Sequence, residues 1–219
     1  MHPDVVPAGL RLLHADAQLL AFDKPSGLLA VPGRGVDKQD SLATRALAHW
    51  PEARVVHRLD MATSGVIVLA RGLEMQRALS TAFADRRVEK RYVAVVDGWL
   101  AEDAGDIDLP LAADWPNRPR QRIDAITGKA SQTRWQVLAR QTDSDGMPFT
   151  RLSLTPATGR THQLRVHLQA IGHPILGDTL YATAAQQDRA PRLLLHAHIL
   201  TLPHPLTGDS LSLNSPVPF

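Results

Sequence analysis

Residues 55–71 read VVHRLDMATSGVIVLAR. Val55 and Val56 lead into His57, Arg58, Leu59 and Asp60; Ala62, Thr63, Ser64 and Gly65 form a small-residue turn, and Val66–Ala70 is a second apolar run. β-Branched runs bounded by Ser and Gly read as strand, exposed polar turn, strand. A guanidinium and a carboxylate two positions apart, Arg58 and Asp60, then hang between two anchored segments, the support a reacting group needs to keep its geometry. An Asp ahead of Thr-Ser-Gly also commonly bonds its own backbone in an Asx-turn, and spacing alone favours that reading.

Around this stretch the chain has 219 residues, 44% hydrophobic and 21% charged, a globular composition with length enough for a core. No apolar run approaches the ~18 residues of a membrane span, and the first residues lack the pattern of a signal peptide. Cysteine is absent, which excludes disulfides and thiolate metal sites; a cytoplasmic address is the default expectation. The net charge of +2 does not announce a nucleic-acid partner, but 20 of the 24 basic residues are Arg, whose planar fork suits phosphates and bases. They cluster at Arg86, Arg87, Lys90, Arg91 and at Arg118, Arg120, Arg122. Arg-favouring codons with a simply solvated surface would give the same count.

Taken in order, residues 1–17 read as a loose lead-in, with Pro3 and Pro7 discouraging regular structure. Leu19–Phe22 reads as a strand running into the turns of DKPSGLLAVPG, where Lys24 is expected as a solvated turn lysine. Ser41–Trp50 suggests a helix capped by Asp40 or Ser41 and closed by Pro51, burying Leu42, Ala46, Leu47 and Trp50. A second helix is expected over Leu73–Arg86, then a strand over Lys90–Asp97 that contains Tyr92. Asp106–Asp124 is too rich in Pro and Arg for a helix and reads as a loop or irregular ribbon. Gln132–Ala139 and Phe149–Pro156 read as strands joined by a hairpin at QTDSDGM. A helix over Thr161–Ile171 buries Leu164, Leu168 and Ile171, with Arg165 flanking the core and Gly177 and Asp178 as turn residues beyond it. Leu193–Leu202 reads as a strand.

The segments HRLDMATSG, KRYVAVVDG, GRTHQLRVH, GHPILGDTLY and LLLHA resemble the RluA-type pseudouridine synthases, with matches from about Phe22 to Phe219. The resemblance implies an α+β fold: a central, mostly antiparallel mixed sheet flanked by helices, in two subdomains with a cleft between. It implies one catalytic domain over 18–219 without the small S4 RNA-binding domain of some relatives; a monomer is expected, and the reaction requires no cofactor or metal. By the same resemblance Asp60 is the catalytic carboxylate, Arg165 its ion-pair partner, and Tyr92 the ring that stacks on the target base, with a proton-transfer role also assigned to it. Arg58 and His57 would meet the RNA, Arg58 as the inserted side chain, and Leu195 and His196 would line the base pocket with Ile67 as a further wall. DWPNRPRQR resembles the branch that modifies both tRNA and 23S ribosomal RNA, so Trp115, Arg118, Arg120 and Arg122 are candidate RNA contacts. The uridines implied lie in tRNA anticodon stem-loops and a 23S hairpin.

Uridine isomerisation breaks the N1–C1′ bond, turns the base and rejoins it through C5. A carboxylate serves by attacking the sugar or by removing a C2′ proton, and an Arg beside it keeps it ionised when buried. Two other readings compete. A metal hydrolase could use His162, His167, His173, His196 and His198, but His162 and His167 lie about 140° apart around a helix and do not converge. A non-catalytic RNA-binding module would use the same surface cations without needing Asp60.

Overall fold

The computed structural model describes residues 9–219. They form two compact units: the described residues up to Lys90 with Ala197–Pro218, and Arg91–His196 with Phe219. The fold class is α+β, with mostly antiparallel strands and few helices, as the resemblance implied.

In the first unit β1 (Arg11–Ala15) pairs antiparallel with β2 (Leu19–Lys24). This corrects the expected irregular lead-in: Asp16 reverses the chain by accepting the N–H groups of Gln18 and Leu19 at 2.7 and 2.8 Å, and the segment before it becomes an edge strand. Pro3 and Pro7, on which that expectation rested, lie outside the described residues. Helix α1 (Leu42–Leu47) is capped by Ser41, whose Oγ accepts the Thr44 N–H at 3.1 Å. It is shorter than expected, and Leu47 is exposed rather than buried because the chain tightens just past it, both His49 and Trp50 donating to the Ala46 carbonyl. Strand β3 (Ala53–Val55) and then β4 (Ser64–Arg71) follow, β4 pairing antiparallel with both β2 and β3.

Strands β2 and β4 are buried on both faces, which explains their unbroken apolar runs. Leu19, Ala21, Val66, Val68 and Ala70 pack against Leu79 and Ala82 of α2 (Leu73–Ala84). That helix ends at Arg86 in the left-handed region (φ 58°), with Arg86 N–H bonded to Phe83 O and Arg87 N–H to Ala82 O. This is a Schellman closure with Arg in the place usually held by Gly.

In the second unit β5 (Glu89–Asp97, in this unit from Arg91 on), β6 (Ala104–Asp108), β7 (Leu111–Ala113), β8 (Gln121–Ile123), β9 (Gln132–Thr142) and β10 (Pro148–Pro156) are arranged with β10 between β5 and β9 and β6 on the outer edge of β9. The Asp106–Asp124 stretch is therefore more ordered than expected: it contributes the end of β6 and a separate β7–β8 hairpin. Leu111 and Ile123 of that hairpin pack on Val166 and Tyr181.

Helix α3 (Gln163–Ala170) buries polar residues as well as its apolar stripe. Gln163 Nε2 donates to the Gln132 carbonyl at 2.8 Å, and His167 sits between Thr133 Oγ1 (3.0 Å) and the Leu109 carbonyl (2.9 Å). These bonds fasten α3 to the start of β9, so groups that periodicity places off the stripe are enclosed. After α4 (Ala184–Asp188) the chain returns to the first unit with β11 (Leu195–Pro203), whose latter half pairs antiparallel with β12 (Ser210–Asn214).

Candidate active site

In the first unit Asp60 lies in the loop between β3 and β4, partly buried between buried Leu59 and the buried start of β4. Its carbonyl accepts the Thr63 N–H at 3.1 Å and closes the turn. The residues that follow it are held from outside. Lys24 Nζ donates to the Met61 carbonyl at 3.0 Å while also donating to Pro25 O (2.9 Å) and Leu28 O (2.7 Å). Gly27 N–H reaches the same Met61 carbonyl at 2.9 Å, and Ser26 Oγ donates to Ala62 O at 2.7 Å. Lys24 is fully buried, which corrects its reading as a solvated turn lysine: converging carbonyls from two loops replace its water. The KPSG turn is thus a bracket for the Asp60 loop.

On the other side of the loop, Gly65 (φ 111°) brings β4 against β11, where a Cβ would lie 2.2 Å from the Ala197 carbonyl oxygen. His57 stacks on Phe83 at 4.5 Å between ring centres, and its Nε2 accepts the Val68 N–H at 2.9 Å. Burial, with Lys90 nearby, pushes its pKa down to about 3, so it is a neutral acceptor that anchors the loop to β4. Arg58 is exposed, and no carboxylate is paired with it among the described residues.

In the second unit Arg165 is buried, not flanking the core. Its Nε and Nη2 each donate at 2.7 Å to the two oxygens of Asp178. Asp178 Oδ1 also accepts the N–H groups of Leu180 (2.9 Å) and Tyr181 (3.1 Å), so it is the turn residue expected and an ion-pair partner as well. The Arg165 guanidinium lies 5.0 Å from the centre of the Tyr181 ring. The Tyr181 hydroxyl accepts the Gln121 N–H at 2.8 Å and bonds His162 Nδ1 at 2.7 Å. His162 reaches it from the left-handed region (φ 53°) at the start of α3. Tyr92 is partly buried on β5 opposite Leu154 of β10. Leu195 and His196 are buried at the start of β11, His196 edge-on to Phe219 at 6.5 Å, and Ile67 is buried within β4.

The Arg-rich segment links β7 to β8 through a short turn of helix at Trp115–Asn117. Trp115 is 67% exposed with the Arg118 guanidinium 3.7 Å over its ring. Arg120 is exposed, and Arg122 is exposed but paired with Asp124 at 3.0 Å. Of the histidines weighed as metal ligands, His162 and His167 are engaged as above, His173 bonds the Asp97 carbonyl and His198 the Ser215 carbonyl, each at 2.8 Å. Among the described residues no group of three His, Asp or Glu side chains is placed to hold a metal.

Lys24, Asp178 and Tyr181 were not singled out from the sequence as parts of a site, and His162 was weighed only as a metal ligand. Asp178 and Tyr181 stand in GDTLY, a run with both a turn residue and a buried-type aromatic, the signal that could have found them.

Comparison with known proteins agrees with these motifs. The family model described as RNA pseudouridylate synthase matches residues 18–170. The dual-specificity RNA pseudouridine synthase RluA of Yersinia pestis is 52% identical over 189 residues, covering 86% of this chain and 90% of the relative. Its counterpart in Escherichia coli (strain K12) is 48% identical over 210 residues, covering 96% and 94%. Among solved structures, human RNA pseudouridylate synthase domain containing 1 superposes with a TM-score of 0.82 at 30% identity, covering all of this chain and 87% of the other.

Proposed function

Because this chain belongs to the RNA pseudouridylate synthase family and is an RNA pseudouridine synthase, we propose that it isomerises uridines in two classes of RNA with Asp60 as the reacting carboxylate. The relatives are called dual-specificity enzymes, and the DWPNRPRQR segment supports the same two classes here, a tRNA anticodon stem-loop and a hairpin of 23S ribosomal RNA. Such substrates imply work in the cytoplasm. Among the described residues no helix is long and apolar enough to cross a membrane.

In the proposed reaction the N1–C1′ bond breaks, the uracil turns, C5 bonds to C1′, and the proton on C5 is lost as N1 gains one. Asp60 either attacks C1′, to be displaced when C5 bonds there, or takes the C2′ proton as the N1–C1′ bond breaks and returns it as the C5–C1′ bond forms. Arg165 pairs with it and favours its ionised form. The target base must leave its stack, at a cost of a few kcal/mol, which Tyr92 under the base and Arg58 in the vacated space offset.

The observation that carries this reading is the bracket on the Asp60 loop. Lys24, Ser26 and Gly27 fix the carbonyls of the two residues after Asp60, a mount that a reacting carboxylate needs and a surface binding loop does not. Tritium release from C5-labelled uridine transcripts tests it. Release from both the tRNA stem-loop and the ribosomal hairpin is expected; release from neither would refute it, and release from one would refute the dual specificity.

A further inference from the structure

Within the second unit, an open groove of about 580 Å³ runs along β7, between the β7–β8 hairpin and the turn that precedes α3. Trp115, Gln121, Arg122, Lys129, Arg160 and Thr161 are among the residues that line it. No acidic side chain lines it, and neither Lys129 nor Arg160 has a carboxylate partner among the described residues. Arg160 makes one long bond, from Nε to the Ala130 carbonyl at 3.4 Å. Arg122 is the one cation of the three that is already neutralised, by Asp124.

Two unneutralised cations beside a largely exposed indole suit a ligand that is anionic and flat in alternation, as a nucleotide chain is. Arg118 stacks on Trp115, so the indole already serves as a stacking surface for one planar group. The groove also shares a wall with the Arg165 centre. Gln121 lines it, and the Gln121 N–H is bonded to the Tyr181 hydroxyl, whose ring faces Arg165.

We infer that this groove is a subsite for a single-stranded stretch of the substrate RNA, with Lys129 and Arg160 on backbone phosphates and a base stacked at Trp115. The inference rests on the proposed function and adds to it the residues Lys129, Arg160 and Thr161. An acidic protein partner would use the two cations but gain little from the indole.

The test is fluorescence anisotropy of a labelled substrate stem-loop, titrated at several salt concentrations with wild type, Lys129→Ala/Arg160→Ala, Trp115→Ala and, as control, Arg54→Ala on β3. All the substituted side chains are exposed, and circular dichroism checks that each variant is folded. The double variant is expected to bind about ten-fold more weakly at low salt, with the slope of log K against log salt shallower by about 1 to 2. Trp115→Ala is expected to bind at least about five-fold more weakly with the slope unchanged, while Arg54→Ala matches wild type. A double variant with the wild-type Kd and slope would overturn the inference, as would a double-variant effect with none from Trp115→Ala, the pattern of phosphate contact without a stacked base. Tritium release by wild type in the same preparation separates the two proposals. Release with unchanged variant binding removes the groove alone, and weakened variant binding without release upholds the groove and removes the catalytic reading.

Discussion

Arg165 and Asp178 meet through two parallel hydrogen bonds of 2.7 Å, with side chains 4% and 0% exposed. The Nε–Nη2 edge of the guanidinium is committed to this pair, so the role proposed for Arg165 falls to its other side. Asp178 is itself held by the Leu180 and Tyr181 N–H groups, which makes it the positioning residue for Arg165. Removing one member of a buried pair leaves the other charge without that compensation, at about 3–5 kcal/mol. Asp178→Ala is expected to lose about 3 kcal/mol or more of stability in urea unfolding. Arg165→Lys keeps the charge but not the fork, and should lose activity with a smaller loss of stability.

Lys24→Met fills nearly the same space without the ammonium, strands the Pro25 and Leu28 carbonyls, and leaves the Met61 carbonyl with the Gly27 N–H alone. A loss of about 2–4 kcal/mol is expected. Hydrogen exchange at the Gly27 and Thr63 amides should quicken, because both are bonded to the loop that Lys24 secures. Unchanged exchange at both would show that Lys24 does not brace Asp60.

His57 is held neutral, its pKa lowered to about 3 by burial and by Lys90. The unfolded chain therefore binds a proton near pH 6.5 that the folded chain refuses until about pH 3. Stability consequently rises with pH across that window, and acidification from 6.5 toward 3 removes up to about 1.4 kcal/mol per pH unit. The His57 ring carbons should show no NMR titration between pH 5 and 8 (about one unit either side of the ordinary His value). His57→Phe keeps the contact with Phe83, strands the Val68 N–H, and should flatten the acid side of the stability curve.

These predictions concern residues of unequal legibility. Strands β4, β5 and β10 could be read from their apolar runs and turn residues, and the family itself from the long motifs that contain Asp60, Tyr92 and Arg165. Lys24 could not be read: its burial depends on a carbonyl 37 positions away, which no local pattern encodes. Arg165 looked like a flanking residue because helical periodicity sees only the Leu164–Leu168 stripe, whereas Gln163 and His167 bond α3 to β9 on a second side. Asp178 looked like a turn residue and is one, but its oxygens also serve a helix 13 positions earlier.

Gly65→Ala adds a methyl group 2.2 Å from the Ala197 carbonyl oxygen at a φ of 111°. Neither backbone can yield without opening the ladder beside the Asp60 loop. Loss of soluble, cooperatively unfolding protein is expected, and a variant with wild-type melting would show that β4 and β11 are not so closely apposed.

Asp60→Asn removes one ionisation and almost no volume. Tritium release from C5-labelled substrate RNA, measured beside RNA affinity in the same variant, should fall by about a thousand-fold or more, a charge-stabilisation and proton-transfer effect of familiar size. RNA binding should stay within a few-fold of wild type. Release at the wild-type rate from the Asn variant would contradict the assignment of Asp60 as the reacting carboxylate.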